Sequence, residues 1–213
     1  MSAFDDAPIV EADDAATWRS WLESNHATAS SAWLVTWRPG RGHPVLDYSL
    51  AVEEALCFGW VDSRGGSLDA DRTKLYFAPR KPRSGWSASN KARIERLVAA
   101  DRMHPAGLAA IERAKTNGSW TVLDAVERGE IPADLASAFD AAAATGTGPA
   151  AANFAAFPWS ARRALLEWIG LAKRPETRAA RILETATRAA ANERANEWTP
   201  RAGRTGPIGP SGG

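Results

Sequence analysis

Between Trp60 and Lys91 the chain reads WVDSRGGSLDADRTKLYFAPRKPRSGWSASNK, a dense run of cations, aromatics, glycines and prolines. A guanidinium offers a planar fork of donors that fits a carboxylate or phosphate, and Arg80 and Arg83 supply that chemistry here. Ser87 and Asn90 can add hydrogen bonds, Lys91 a further charge, and Trp60 and Trp86 apolar walls. From Arg72 to Arg96 there are eight Lys or Arg and a single acid, Glu95, so a near-neutral chain has a cationic middle. Ser84 to Asn90 precede a predicted helix, whose first free N–H groups present partial positive charge to an anion. These residues together predict an anion pocket. The competing reading is a solvated basic loop beside two core tryptophans.

Asp62 follows two apolar residues at a strand position, which can place its carboxylate beside Arg80. There it would orient the arginine as one half of an ion pair, or act as an acid or base. The residues assign no catalytic group and name no cofactor. Cys57 sits in the apolar turn ALCFGW, where a lone thiol reads as a small buried hydrophobe. His26, His43 and His104 fall in separate segments without metal-ligand spacing, so no metal site is assigned. The acidic run Asp5, Asp6, Glu11, Asp13 and Asp14 reads first as helix-start complementarity, and second as a weak site for a hard cation.

Elements that would position these groups follow from periodicity. Asp13 or Asp14 caps a helix over AATWRSWLESNH with Ala15, Trp18 and Leu22 on one stripe. SAWLVTWRP is a strand with Trp33, Val35 and Trp37 on one face. Asp47 or Ser49 caps YSLAVEEALCF, which Gly59 ends. WVDSR and TKLYFAP, joined by GGSLDAD, predict an antiparallel hairpin. After Pro82 the pattern turns helical: Ser87 or Ser89 starts a helix with Ile94, Leu97 and Val98 inward, and Pro105 begins another that stops at Asn117-Gly118. Pro132 opens a third. AAAATGTGPAAA reads as a helix end running into a flexible connector. Ser160 caps ARRALLEWIGLAKR and Pro175 starts the last helix, the two predicted to form a hairpin.

The 213 residues carry 26 Lys and Arg against 25 Asp and Glu, a net charge of +1 that argues against a dedicated nucleic-acid binder. No apolar run approaches a membrane span, the N-terminus lacks the features of a secretory signal, and one cysteine forms no internal disulfide. The expected location is therefore cytoplasmic. No G-x-x-x-x-G-K-[ST], G-x-S-x-G or H-E-x-x-H is present.

The blocks WLESNH, AWLVTWRPG, YSLAVEEALCFGWVDS, FAPRKPRSGWSASNKARIERL, DRMHPAGLAAIERAK and FPWSARRALLEWIGLAKRPETRAARI closely resemble, in order, those of the bacterial YdeI/OmpD-associated family. The resemblance spans approximately residues 17 to 190. It implies an N-terminal half similar to the YjbR/CyaY-like, frataxin-related fold and a C-terminal helical segment similar to the bacteriocin-protection or OmdA domain. The family name associates it with antimicrobial-peptide resistance and with a porin; no catalytic residue carries over.

The expected fold class is therefore α+β, a small, mainly antiparallel sheet with helices, followed by an all-helical C-terminal segment. The expected organisation is a flexible acidic terminus over 1–12, an α+β domain over 13–131, an OmdA-like helical segment over 132–194 and a disordered tail over 195–213. The expected function is a stress- or resistance-associated binding protein recognising a small anionic ligand through Trp60, Asp62, Arg80, Arg83, Trp86, Ser87, Asn90 and Lys91. Two alternatives stay open: an enzyme using Asp62 and Arg80 in the same cleft, and a module that docks a protein partner through its C-terminal helices.

Overall fold

A computed structural model describes residues 6–195. It divides into two compact units, the first ending at Arg128 and the second beginning at Gly129. The expected tail lies almost wholly outside the described residues.

The first unit is built on a four-stranded sheet of order β1-β2-β4-β3. Its strands are β1 (Ile9–Glu11), β2 (Ala32–Trp37), β3 (Trp60–Ser67) and β4 (Arg72–Pro79). β2 and β3 both run antiparallel to β4, and β1 runs parallel to β2, so the sheet is mainly antiparallel. The expectation of a flexible terminus over 1–12 fails at its end. Val10 is apolar and pairs beside Leu34, so burying it extends the sheet by one strand.

Alternation sorts the sheet into two faces, since directly opposed residues leave on the same side. Ala32, Leu34 and Thr36 oppose Phe77, Leu75 and Thr73 on one face, while Trp33, Val35 and Trp37 oppose Tyr76, Lys74 and Arg72 on the other. Helix α1 (Ala15–Asn25) starts where Asp14 accepts from the Thr17 amide. It lays Trp18 against Phe77, ring centroids 5.2 Å apart. Helix α2 (Tyr48–Cys57) starts where the Asp47 carboxylate accepts from the amides of Ser49 and Leu50. It ends at Gly59, whose φ of 75° is the left-handed conformation that glycine adopts at no steric cost. Trp18, Leu22, Val52, Leu56, Trp60 and Phe77 form the buried centre.

Helix α3 (Ala88–Ala99) is capped by Ser87 and buries Ile94 and Leu97, but Val98 is 50% exposed rather than inward. Helix α4 (Pro105–Thr116) begins with Pro at its first turn, and the Nδ1 of His104 accepts from the Ala106 amide. It lies so close to α2 that a Cβ on Gly107 would stand 2.1 Å from the Cys57 carbonyl oxygen, so only glycine fits there. A short helix α5 (Asp124–Glu127), too brief for periodicity to reveal, closes the unit.

The second unit is helical: α6 (Ala133–Ala144), α7 (Ala150–Ala156), α8 (Trp159–Gly170) and α9 (Pro175–Ala190). The expected connector after Ala144 is cut short by α7, because Ala150 and Phe154 are apolar enough to bury. α8 starts one residue before the predicted cap Ser160, directly after Pro158. α9 contacts α8 as the hairpin reading requires, and also packs on α6 and α7. Arg178 ties it to Asp134 of α6 at 2.7 and 3.0 Å. Among the described residues no helix is long and apolar enough to cross a membrane.

Candidate functional site

Arg80 leaves the end of β4 and folds back into the unit, only 8% exposed. Its guanidinium carbon lies 3.8 Å from the centroid of Trp86, and one Nη donates to the Gly85 carbonyl at 2.7 Å. The Nε atom is buried with no hydrogen-bond partner among the described residues. Burial disfavours the charged form and pushes its pKa down to about 10, while the nearby negative charge of Asp62 works in the opposite direction. Arg80 and Asp62 thus interact through charge without a salt bridge. The predicted orienting role of Asp62 takes a different form: its carboxylate accepts from the Tyr48 hydroxyl at 2.9 Å.

A second arginine joins this place. Arg93, one turn into α3, donates through its two Nη atoms to Asn90 at 3.1 Å and to the Ser49 hydroxyl at 3.5 Å. Its Nε is likewise buried and unpartnered among the described residues. The Tyr48 hydroxyl feels both Asp62 and Arg93; burial, then Asp62, raises its pKa. The start of α2, the Asp62 position of β3 and the start of α3 therefore converge on one polar cluster. Two helix N-termini add partial positive charge to it.

The other predicted residues divide. Asn90 belongs to the cluster through Arg93. Ser87 is spent as the cap of α3, accepting from the Asn90 amide and sharing a hydrogen bond with Ser89 at 3.1 Å. Trp60 is 1% exposed, its edge against Trp21 and its indole N–H on the His26 carbonyl, so it is core rather than a wall. Trp86 is equally buried and touches the site only through Arg80. Lys91 is committed to Asp124 and lies over Trp120, because α5 brings an acid to that side of α3. Arg83 is exposed in the turn after Pro82.

Tyr48, Ser49 and Arg93 escaped the sequence reading. Arg93 stands three residues after Asn90, helical spacing that puts both on one face of α3 and was the available signal. Nothing local announced that α2 would deliver Tyr48 and Ser49 there.

A different polar group lies on the far side of α2. Glu54, 2% exposed, accepts from Arg19 at 3.0 Å and from Arg102. Beside it the buried Cys57 thiol is pushed up by burial and by the Glu54 charge, which keeps it protonated and unreactive. His26 and His104, distant in sequence, meet with rings 4.6 Å apart, and His104 stacks on Phe58. Among the described residues no group of three or more His, Cys, Asp or Glu is arranged to hold a metal ion. Of the acidic run, Asp14 caps α1 and Glu11 pairs with Arg72 at 2.6 Å, as helix and sheet complementarity require.

Fold and site thus describe a protein of two parts, an α+β unit with a buried-arginine cluster and a separate helical unit. In the helical part, residues 129–192 match the model of the family described as Bacteriocin-protection, YdeI or OmpD-Associated. Residues 10–110 match the model of a domain of unknown function, DUF8412, which lends the frataxin-related likeness no support. No curated protein and no solved structure matches the chain.

Proposed function

We propose that the α+β unit is a binding module for a small anion, recognised by Arg80 and Arg93 with hydrogen bonds from Asn90 and Ser49. The observation that carries this reading is the pair of buried Nε–H groups without an acceptor. Leaving a buried donor unpaired costs on the order of 1–3 kcal/mol, and more when it is charged. An oxyanion placed against either Nε would supply the acceptor it lacks. Asp62 keeps the cluster from excessive positive charge and holds Tyr48 at its edge. The location that suits such a module is the cytoplasm.

Titration of the full chain with inorganic phosphate, followed by thermal melting, tests this. At about 100 times its dissociation constant a ligand adds near 2.7 kcal/mol of stability. The expected result is a rise in melting temperature for the wild type and none for Arg93→Gln. An equal rise in both would sink the reading.

One observation favours a second role, in the other unit. Leu183 on α9 is 67% exposed beside a groove of about 400 Å³ formed with Ala138, Ala179 and Ile182. A protein partner docking there is the reading it supports, and Leu183→Asp would abolish such docking without lowering the melt of the free chain.

A further inference from the structure

Between the open end of the sheet and the segment leading into α2 lies a cleft of about 560 Å³, the size of ordinary small-molecule sites, which span about 300–1,000 Å³. Its floor comes from the helix-facing side of the sheet, where Leu34 opposes Leu75 and Thr36 opposes Thr73. Its far wall is Val45, Leu46 and the ring of Tyr48. Val45 and Tyr48 are both exposed apolar surfaces that a ligand would cover. None of Arg80, Arg83, Asn90 or Arg93 lines it, so the cations of the anion cluster lie outside it, and Tyr48 is the residue the two places share.

The polar groups of the cleft are few and of one sign. The Thr36 and Thr73 hydroxyls stand 3.3 Å apart, already satisfying one another at the floor. At the edge, Arg38 donates one Nη to the Ser67 hydroxyl at 2.9 Å, and that hydroxyl donates in turn to the Asp69 carbonyl at 2.8 Å. This chain of bonds anchors the guanidinium beside the opening. Among the described residues, Arg38 and Lys74 are the charged ones lining the cleft, and no carboxylate lines it. Neighbouring acids are engaged elsewhere: Asp69 with Arg72 at 2.8 Å, Asp71 with Arg41 at 3.1 Å, and Asp62 with the Tyr48 hydroxyl at 2.9 Å. The Lys74 ammonium sits over Trp33 on the opposite face, 4.5 Å from its centroid, which leaves Arg38 as the cation at the opening.

We infer that this cleft binds a compact apolar carboxylate of the aryl-alkanoate class, its body against Leu34, Leu46 and Leu75 and its charge on Arg38. An apolar body gains by leaving water against the leucines, and the acid finds a guanidinium already held in place, so little ordering cost remains. A phosphate alone would forgo the larger part of that surface.

Gly65 gives a clean way to fill the cleft. It pairs with Leu75, so a side chain there leaves on the floor side, and its Cβ would meet only Leu75 Cδ1 at 3.6 Å and the Lys74 carbonyl at 3.7 Å, both ordinary contacts. The experiment is calorimetric titration of the full chain with phenylpropionate, using phenylpropanol as the uncharged comparator. Wild type should bind the acid saturably and the alcohol more weakly. Gly65→Phe should lower the affinity for the acid about tenfold or more, and Arg38→Gln should erase the preference for acid over alcohol by a similar factor. Arg93→Gln should change neither, which separates this site from the anion cluster. Absence of saturable binding by the wild type, or wild-type affinity in a folded Gly65→Phe, overturns the inference. Should Gly65→Phe fail to fold, Arg38→Gln decides alone: an unchanged acid preference overturns it.

Discussion

Two clusters of buried charge flank α2, and they are finished to different degrees. Around Glu54 every strong group has a partner: one carboxylate takes hydrogen bonds from Arg19 and Arg102, and the neighbouring thiol is neutral. Around Arg80 and Arg93 two guanidinium Nε atoms are buried and unpartnered among the described residues, and the carboxylate of Asp62 is engaged by a tyrosine. A buried ion pair that is complete holds elements together, and removing one member strands the others. A buried cation that is incomplete spends stability on something other than the fold. The difference between the two sides of α2 is what separates a structural reading from a binding one.

The sharpest way to break that comparison is to cut the finished cluster. Glu54→Ala leaves Arg19 and Arg102 facing a cavity. Breaking a buried pair costs roughly 3–5 kcal/mol, and the partly solvated guanidiniums here put the loss near the low end, about 3 kcal/mol in denaturant unfolding. The counterpart is Arg80→Met, which keeps volume against Trp86 and removes an unsatisfied donor. Its expected cost is smaller, within about 1.5 kcal/mol, because the lost hydrogen bond to Gly85 is offset by relief of desolvation. If Arg80→Met destabilises as much as Glu54→Ala, the two clusters are alike and the anion reading loses its foundation.

Acid sharpens the comparison further, because His104 lies against the finished cluster. Burial, followed by the charges of His26 and Arg19, lowers its pKa below the ordinary value of 6.5. The unfolded chain therefore takes up this proton first as pH falls, so the stability it contributes is full above the ordinary histidine range and is lost on descending through it. Protonation also removes the Nδ1 acceptor that caps α4 at the Ala106 amide. The melting temperature should fall between roughly pH 7 and 5, and His104→Asn, which retains a cap acceptor, should flatten that fall. An unchanged slope would show that His104 does not carry it.

The sequence displayed most of the scaffold and only part of the site, for a physical reason that separates the two. Periodicity and capping residues are local, so Asp14, Asp47, Ser87, Pro105 and Pro175 mark helix starts and the alternation of Trp33, Val35 and Trp37 marks β2. β1 and α5 are too short to impose a period, and α7 hides in an alanine-rich stretch whose burial only the folded unit decides. Arg80 and Asp62, which the fold brings within reach of one another's charge, stood out because charge is conspicuous on a hairpin otherwise ending in Phe77 and Pro79. The misplaced walls, Trp60 and Trp86, have the residue type a ligand site favours, but so does any core, and depth is not written locally. Lys91 shows the same limit from the other side: its partner Asp124 is 33 residues away. Tyr48, Ser49 and the cleft leading to Arg38 exist only through the meeting of α2 with the sheet.

Asp62 offers the smallest expected effect and the finest distinction. Its carboxylate accepts from Tyr48 on a half-exposed edge, so replacing it costs little stability, and Asp62→Asn keeps an oxygen able to accept that bond. What changes is charge. Asp62 attracts Arg80 and repels any anion that approaches it, so in a binding module its neutralisation should strengthen phosphate binding several-fold at low salt, with the gain shrinking as salt screens the site. An enzyme using Asp62 as acid or base would respond the other way, with binding retained and turnover lost. Weaker phosphate binding in Asp62→Asn would mean that this carboxylate, through Tyr48, builds the site rather than merely balancing it.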